Sequence, residues 1–232
     1  MLDQAFEALK TYDRGTDTKV LDPIEEAVVT TRDNAAERKD LEERLVATLK
    51  ADVSRAAKDY VCRKLRVVGT AASVPALAEM LPQPEHSHMA RYALERMPVS
   101  EAVQALRDAL PEVDGELKVG VIGSLGVRQD AASVPLLASL LEEADESVAR
   151  SAALALGALR LPSAAKALNA AKTENPAVNA AVADASLACA EAMLEAGNKA
   201  QARKLYQGLS GDDRPKHVRL AATRGLLACA GQ

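Results

Sequence analysis

The sequence predicts an all-α fold, a right-handed α-α superhelix of about seven helix pairs in 232 residues. Three observations predict it. Apolar residues recur at spacings of three and four along nearly the whole chain, and no stretch alternates polar with apolar as a half-buried strand does. The heptad AASVPAL (Ala71 to Leu77) returns, with one change, as AASVPLL (Ala131 to Leu137). The composition is 48% hydrophobic but only 2% aromatic, with no Trp, one Phe and four Tyr. Ala, Leu and Val must therefore fill the core, which suits helices packed closely along a regular stack.

The heptads set a register. Leu77 closes the first copy and Leu137 the second. EAVQAL, between them, ends at Leu106, and SAAKAL, after them, ends at Leu168. Successive leucines stand 29, 31 and 31 positions apart. A period near thirty with two helices per unit is the signature of a solenoid, in which no pair buries its apolar face alone and neighbours complete the core.

The pairs follow in order. The first spans 2–31. It opens on the amphipathic MLDQAFEALK, and DPIEE (Asp22 to Glu26) reads as an N-cap, a Pro at N1 and a capping carboxylate at N3. The second, 35–69, ends in YVCRKLRVVG, where Lys64 stands at a position that is small in other copies. The third, 70–98, begins with Thr70 as N-cap and Pro75 in the first turn, and its MARYALERM buries Met89, Ala93 and Met97. The fourth, 99–126, carries LKVGVIGSLG, with Leu117, Val121, Ser124 and Leu125 inward. The fifth, 130–160, repeats the cap and proline at Asp130 and Pro135, and SVARSAALALG buries Val148, Ala152, Ala155 and Leu156. The sixth, 163–196, is longer, so a bend is expected there. The seventh, 198–231, aligns through Val218, Ala222, Gly225 and Leu226. Residues 1–232 are expected to form a single repeat domain. Within it 1–54 holds divergent N-terminal pairs, 55–170 the clearest repeats and 171–232 the longer C-terminal pairs.

The formal charge is −4 and the pI about 5.5, so no global field draws the chain to nucleic acid or anionic lipid. No apolar run is expected to reach transmembrane length, and the first residues do not read as a signal peptide. A complete chain of this kind is expected in the cytoplasm.

Few residues carry chemistry. His86 and His88 in EHSHM diverge on a helix, so no metal site is expected. Cys62, Cys189 and Cys229 lack ligand spacing and read as small buried hydrophobes in the reduced state. Two of them sit in matching phrases, LACAE and LACAG, which suggests equivalent positions. GVIGSLG (Gly120 to Gly126) resembles a phosphate loop but aligns with an ordinary repeat helix. Gly123 within it costs a helix about 1 kcal/mol against Ala, which suggests a close approach by some neighbour.

The segments SVPLLASLLEEADESVARSAALALG and SVARSAALALGALRLPSAAKAL resemble HEAT repeats, in the short form also seen in phycobilin-lyase-type HEAT proteins. EAGNKAQARKLYQGL is similar to a tetratricopeptide segment, and the Val-Arg pair usual in HEAT repeats stands only at Val218-Arg219. The resemblance implies that the second helix of each pair lines a concave face. The stripe opposite its buried residues then runs through Arg63 and Arg66 in one copy, and through Arg91, Tyr92 and Glu95 in the next. It continues through Arg150, Ser151 and Leu154, and through Leu220, Ala221 and Arg224. This dotted basic line, with Tyr92 as its one aromatic, is the expected binding surface. Ordinary solvated helix faces are the alternative.

The expected function is a non-enzymatic protein-protein interaction scaffold. It needs no cofactor, and it holds an acidic protein or peptide segment on its concave face. Two alternatives follow from the resemblance. DNA-repair glycosylases built from HEAT-like repeats are similar in length, but the acidic pI, the lack of Trp and the lack of a paired aromatic and carboxylate make nucleic acid an unexpected partner. A pigment- or cofactor-lyase-like chaperone rests on fold analogy. Segments of this kind also occur in large multi-domain bacterial proteins, where a spacer role is the expectation.

Overall fold

The computed structural model describes residues 1–212 and 214–231. Among them are fourteen α-helices and no strand. Six of the successive helix pairs pack on each other within one unit. These are α1 (Leu2–Lys10) with α2 (Asp22–Thr30), α3 (Ala35–Lys50) with α4 (Arg55–Val68), and α5 (Val74–Ala78) with α6 (Ser87–Leu94). Next in sequence come α7 (Ser100–Ala109), which ends the first unit's helices, and α8 (Gly115–Val127), which opens the second's, then α9 (Val134–Ser139) with α10 (Glu146–Leu159). The last are α11 (Pro162–Ala170) with α12 (Pro176–Glu195), and α13 (Lys199–Leu209) with α14 (Lys216–Ala230).

The chain divides into two compact units, residues 1–113 and residues 114 onward. In the first, α4 packs on α3 and α6, and α5 packs on α7. In the second, α10 packs on both α8 and α12, α9 on α11, and α12 on α11, α13 and α14. First helices thus neighbour first helices and second helices neighbour second, the order of an α-α superhelix.

The register read from the heptads holds in the core. Leu77, Leu106 and Leu137 are 0% exposed and Leu168 is 1% exposed. Their seed is local. Ser73 and Ser133 are fully buried and close short 3-10 turns (Ala71–Ser73 and Ala131–Ser133) that lead into α5 and α9. Pro75 and Pro135 follow in the first helical turn, where a missing N–H costs nothing. Thr70 accepts from the Ala72 N–H as expected. Asp130 does not cap a backbone N–H in this turn; it takes the hydroxyl of Ser133 instead. The first copy has Thr70 where the second has Asp130, so it has no carboxylate of its own for Ser73. Glu42 of α3, only 4% exposed, supplies one. It accepts from Ser73 Oγ, from the Thr70 N–H at 2.7 Å and from Thr70 Oγ1 at 3.0 Å.

Three of the second helices, α4, α10 and α12, start on side-chain caps, the last two of them 30 positions apart. Ser54 accepts from the Ala57 N–H, Asp145 from Ser147 and Val148, and Asn175 from Ala177 and Val178. In the second unit these helices approach closely through small residues. A Cβ on Gly126 would stand 3.1 Å from Ala155 Cα, and one on Gly157 would stand 2.8 Å from Ala185 Cα.

Four local expectations are corrected. Asp22 is the first residue of α2, not its cap, because a 3-10 turn (Thr18–Leu21) capped by Asp17 precedes it. A Cβ on Gly123 would meet nothing within 4 Å, so no close neighbour calls for the glycine. Cys229 is half-buried, while Cys62 and Cys189 are fully buried. Burial pushes the thiols of Cys62 and Cys189 up, to about 12 and about 11. Last, α12 is long and apolar enough, at mean hydropathy 1.3, to cross a membrane by length and composition. Half of that window is buried among its neighbours, which accounts for its apolar character.

Candidate binding site

The site lies in the first unit, on adjacent second helices. The stripe Arg55, Asp59, Arg63, Arg66 of α4 leaves its guanidinium groups outward because Ala57, Val61, Leu65 and Val68 take the core side. On α6, Met89, Ala90, Ala93 and Leu94 are buried, which turns His88, Tyr92 and Glu95 outward or to the boundary.

The two helices meet at Tyr92. Arg66 Nη1 donates to the Tyr92 hydroxyl, and its guanidinium carbon lies 4.6 Å from the ring centroid. The guanidinium carbon of Arg63 lies 5.9 Å from the same centroid. Both separations fall within cation–π range. Arg63 also donates from Nε to Asp59 at 2.9 Å, an i,i+4 pair on an exposed helix face. The Arg63 terminal nitrogens have no protein partner among the described residues, and Arg66 spends one donor on Tyr92. The remaining N–H groups form a fork suited to carboxylate or phosphate oxygens.

Arg91 is half-buried, and this burial lowers its pKa while Glu95, one turn on, favours its charge. It sits further from solvent than the register alone implied. In the second unit, Arg150 is exposed on α10 and pairs with Glu146 at 3.7 Å, with exposed Leu154 one turn on. Arg224 is exposed on α14, between Leu220 and Leu227, both also exposed. The structure therefore brings Arg63, Arg66 and Tyr92 into one cluster, with Arg91 and Glu95 beside Tyr92 in sequence. Arg150 is the one arginine of α10, and Arg224 shares α14 with Arg219, which pairs with Asp212.

A cleft of about 600 Å³ extends this cluster toward the N-terminal pair. Tyr12, Arg14, Arg55, Tyr60, Arg63 and His88 line it, with Asp13 and Asp59. The rings of Tyr12 and Tyr60 meet tilted, 6.2 Å apart at 52°. Ser54 fixes this wall by donating to the Tyr12 carbonyl at 2.5 Å. Arg55 is oriented by the Glu85 carbonyl at 2.9 Å. Lys64, the odd residue in its repeat position, lies 4.7 Å from the Tyr60 centroid and forms an ion pair with Glu25 of α2. Burial, then Glu25, push the Tyr60 phenol above its ordinary value, so it stays protonated. Sequence reasoning missed Tyr12 and Arg14, which lie between α1 and α2 outside any helical register.

His86 and His88 separate as expected. His86 contacts Gln83 Oε1 at 2.8 Å, and burial, Lys58 and Arg55 hold its pKa down against Glu85. His88 faces the cleft. No cluster of three or more potential metal ligands occurs among the described residues.

A family model described as HEAT repeats matches residues 110–188, which run from the end of α7 into α12. The chain thus carries HEAT-like helical repeats, and this match overlaps the second half of the stretch where the resemblance was clearest. No curated protein matches the chain. Among solved structures, the crystal structure of an engineered protein is similar at 19% identity and a TM-score of 0.48, covering 99% of this chain and 68% of that one.

Proposed function

We propose that the protein is a non-enzymatic interaction scaffold that holds an acidic segment of a partner protein against the α4–α6 face. The HEAT-like repeats support the coarser reading of a scaffold. The observation that carries the finer one is two guanidinium groups, exposed Arg63 and half-buried Arg66, within cation–π range of the one Tyr92 ring. Arg63 and Arg66 provide bidentate carboxylate contacts, and Tyr92 holds both in place and offers a flat apolar surface. Arg91 and Glu95 complete the α6 side of this face. Arg150 and Arg224 offer separate exposed cations in the second unit. The basic cluster stands out within a chain of net charge −4, so it attracts an acidic partner locally rather than through a global field.

The test is fluorescence anisotropy with a labelled peptide of about ten residues rich in Asp and Glu, at about 50 and 300 mM salt. The wild type should bind, more weakly at the higher salt. Arg63→Glu with Arg66→Glu should weaken binding at least about tenfold without shifting the thermal melt by more than a few degrees. Equal binding by wild type and double variant contradicts the reading.

A further inference from the structure

The second unit holds a groove of about 480 Å³ between α11 and α13. It shares no residue with the α4–α6 face. From α11 it takes Pro162, Ala165, Lys166 and Asn169, spaced as one helical face. From α13 it takes Gln201, Lys204, Leu205 and Gly208, with the same spacing. Met193 of α12, which packs beneath both helices, contributes from below. Two helix faces with an apolar floor make the shape that receives a third helix.

Its charge is one-sided. Lys166 and Lys204 line the groove and no Asp or Glu does. Neither lysine has an ion-pair partner among the described residues. The corresponding groove between α5 and α7 in the first unit, about 450 Å³, is the opposite: Glu101, Asp108 and Glu112 line it and no Lys or Arg does.

Gly208 leaves room at one end of the groove. It is the second-to-last residue of α13, and a Cβ there would meet nothing within 4 Å, so this end of the wall is open. Its backbone has an ordinary helical conformation, without a positive φ. A glycine on a groove wall lets an incoming side chain approach the helix backbone.

We propose that the α11–α13 groove docks an amphipathic acidic helix of a partner protein. The partner's apolar face lies over Met193, Ala165 and Leu205, a large apolar side chain lodges at Gly208, and flanking carboxylates meet Lys166 and Lys204. The two lysines and the apolar lining select this occupant over a basic or purely polar segment.

The test uses a fluorescein-labelled amphipathic helical peptide of Leu, Ala and Glu, and a matched peptide with Lys in place of Glu. Anisotropy should rise with the acidic peptide and not with the basic one. Gly208→Leu, which fills the groove, and Lys166→Glu with Lys204→Glu, which reverses its charge, should each weaken binding at least about tenfold. Gly208→Ala, which favours the helix and adds one methyl, should give a smaller loss at equal or greater stability, so a folding defect cannot mimic the result. All of these titrations are made in the Arg63→Glu, Arg66→Glu background, which removes the α4–α6 face, so binding that remains and responds to the groove variants belongs to the groove. The proposal is overturned if the acidic peptide fails to bind, binds all groove variants as it binds the wild type, or is matched by the basic peptide. It is also overturned if a simple chain carboxylate such as decanoate occupies the groove while the peptide does not.

Discussion

Glu42 on α3 accepts the hydroxyl proton of Ser73, 31 positions along the chain. The carboxylate is buried and also holds the Thr70 N–H at 2.7 Å. It joins one repeat to the start of the next, doing for the first AASVP copy what Asp130 does for the second. Replacing Glu42 by Ala would leave the buried Ser73 hydroxyl and the part-buried Thr70 N–H without this acceptor. We expect a loss of about 2–3 kcal/mol, read as a lower urea midpoint. Asp130→Ala should cost less, because Asp130 is only half-buried. An unchanged midpoint for Glu42→Ala would show that water replaces the carboxylate.

The four register leucines are equivalent by burial, so their truncations should be alike in kind. Leu77→Ala, Leu106→Ala, Leu137→Ala and Leu168→Ala should each destabilise by about 2–5 kcal/mol in chemical denaturation. A cost below about 1 kcal/mol at two of them would mean that the shared position is not part of a common core.

Two glycines of α8 and α10 should respond with opposite signs. Gly157→Ala places a methyl 2.8 Å from the Ala185 backbone and should cost about 1–3 kcal/mol. Gly123→Ala meets nothing within 4 Å and should stabilise by about 1 kcal/mol. Paired thermal melts check both, and a stabilising Gly157→Ala would rule out the close helix approach.

The thiols should differ sharply in reactivity. Cys62 and Cys189 are buried, with pKa values raised to about 12 and about 11. A thiol reagent at neutral pH should therefore modify Cys229 first, and the other two only on unfolding. The raised values also set a pH dependence. The folded thiols stay neutral while unfolded ones ionise near pH 9, so their contribution to stability is intact below that pH. It falls as pH rises through 9 toward 11–12. Rapid modification of all three cysteines in the native state would refute this burial pattern.

The repeat was legible because core leucines and caps obey a fixed spacing, and Leu77, Leu106, Leu137 and Leu168 made that spacing visible. Arg63, Arg66 and Tyr92 were legible for the same reason: helical register turns them to one side. Tyr12 and Arg14 were not, because a loop residue reaches a cleft through tertiary contacts that no periodicity records. Glu42 was hidden as one charge among several on a polar-looking helix. The one available signal was Thr70 standing where the other copy has Asp130, a missing carboxylate that something had to replace. Gly208 likewise gave no sign until the space beside it could be seen.

An acidic segment docked on Arg63 and Arg66 around Tyr92 would place its carboxylates against those two guanidinium groups. Their Nε–Hε resonances would therefore report it in an NMR titration with the Asp- and Glu-rich peptide. Saturating shifts are expected at Arg63 and Arg66, and Tyr92→Ala together with Arg66→Glu should abolish them. If the peptide saturates the protein while those two resonances stay fixed and others move, the acidic segment binds elsewhere and the α4–α6 face is not its site.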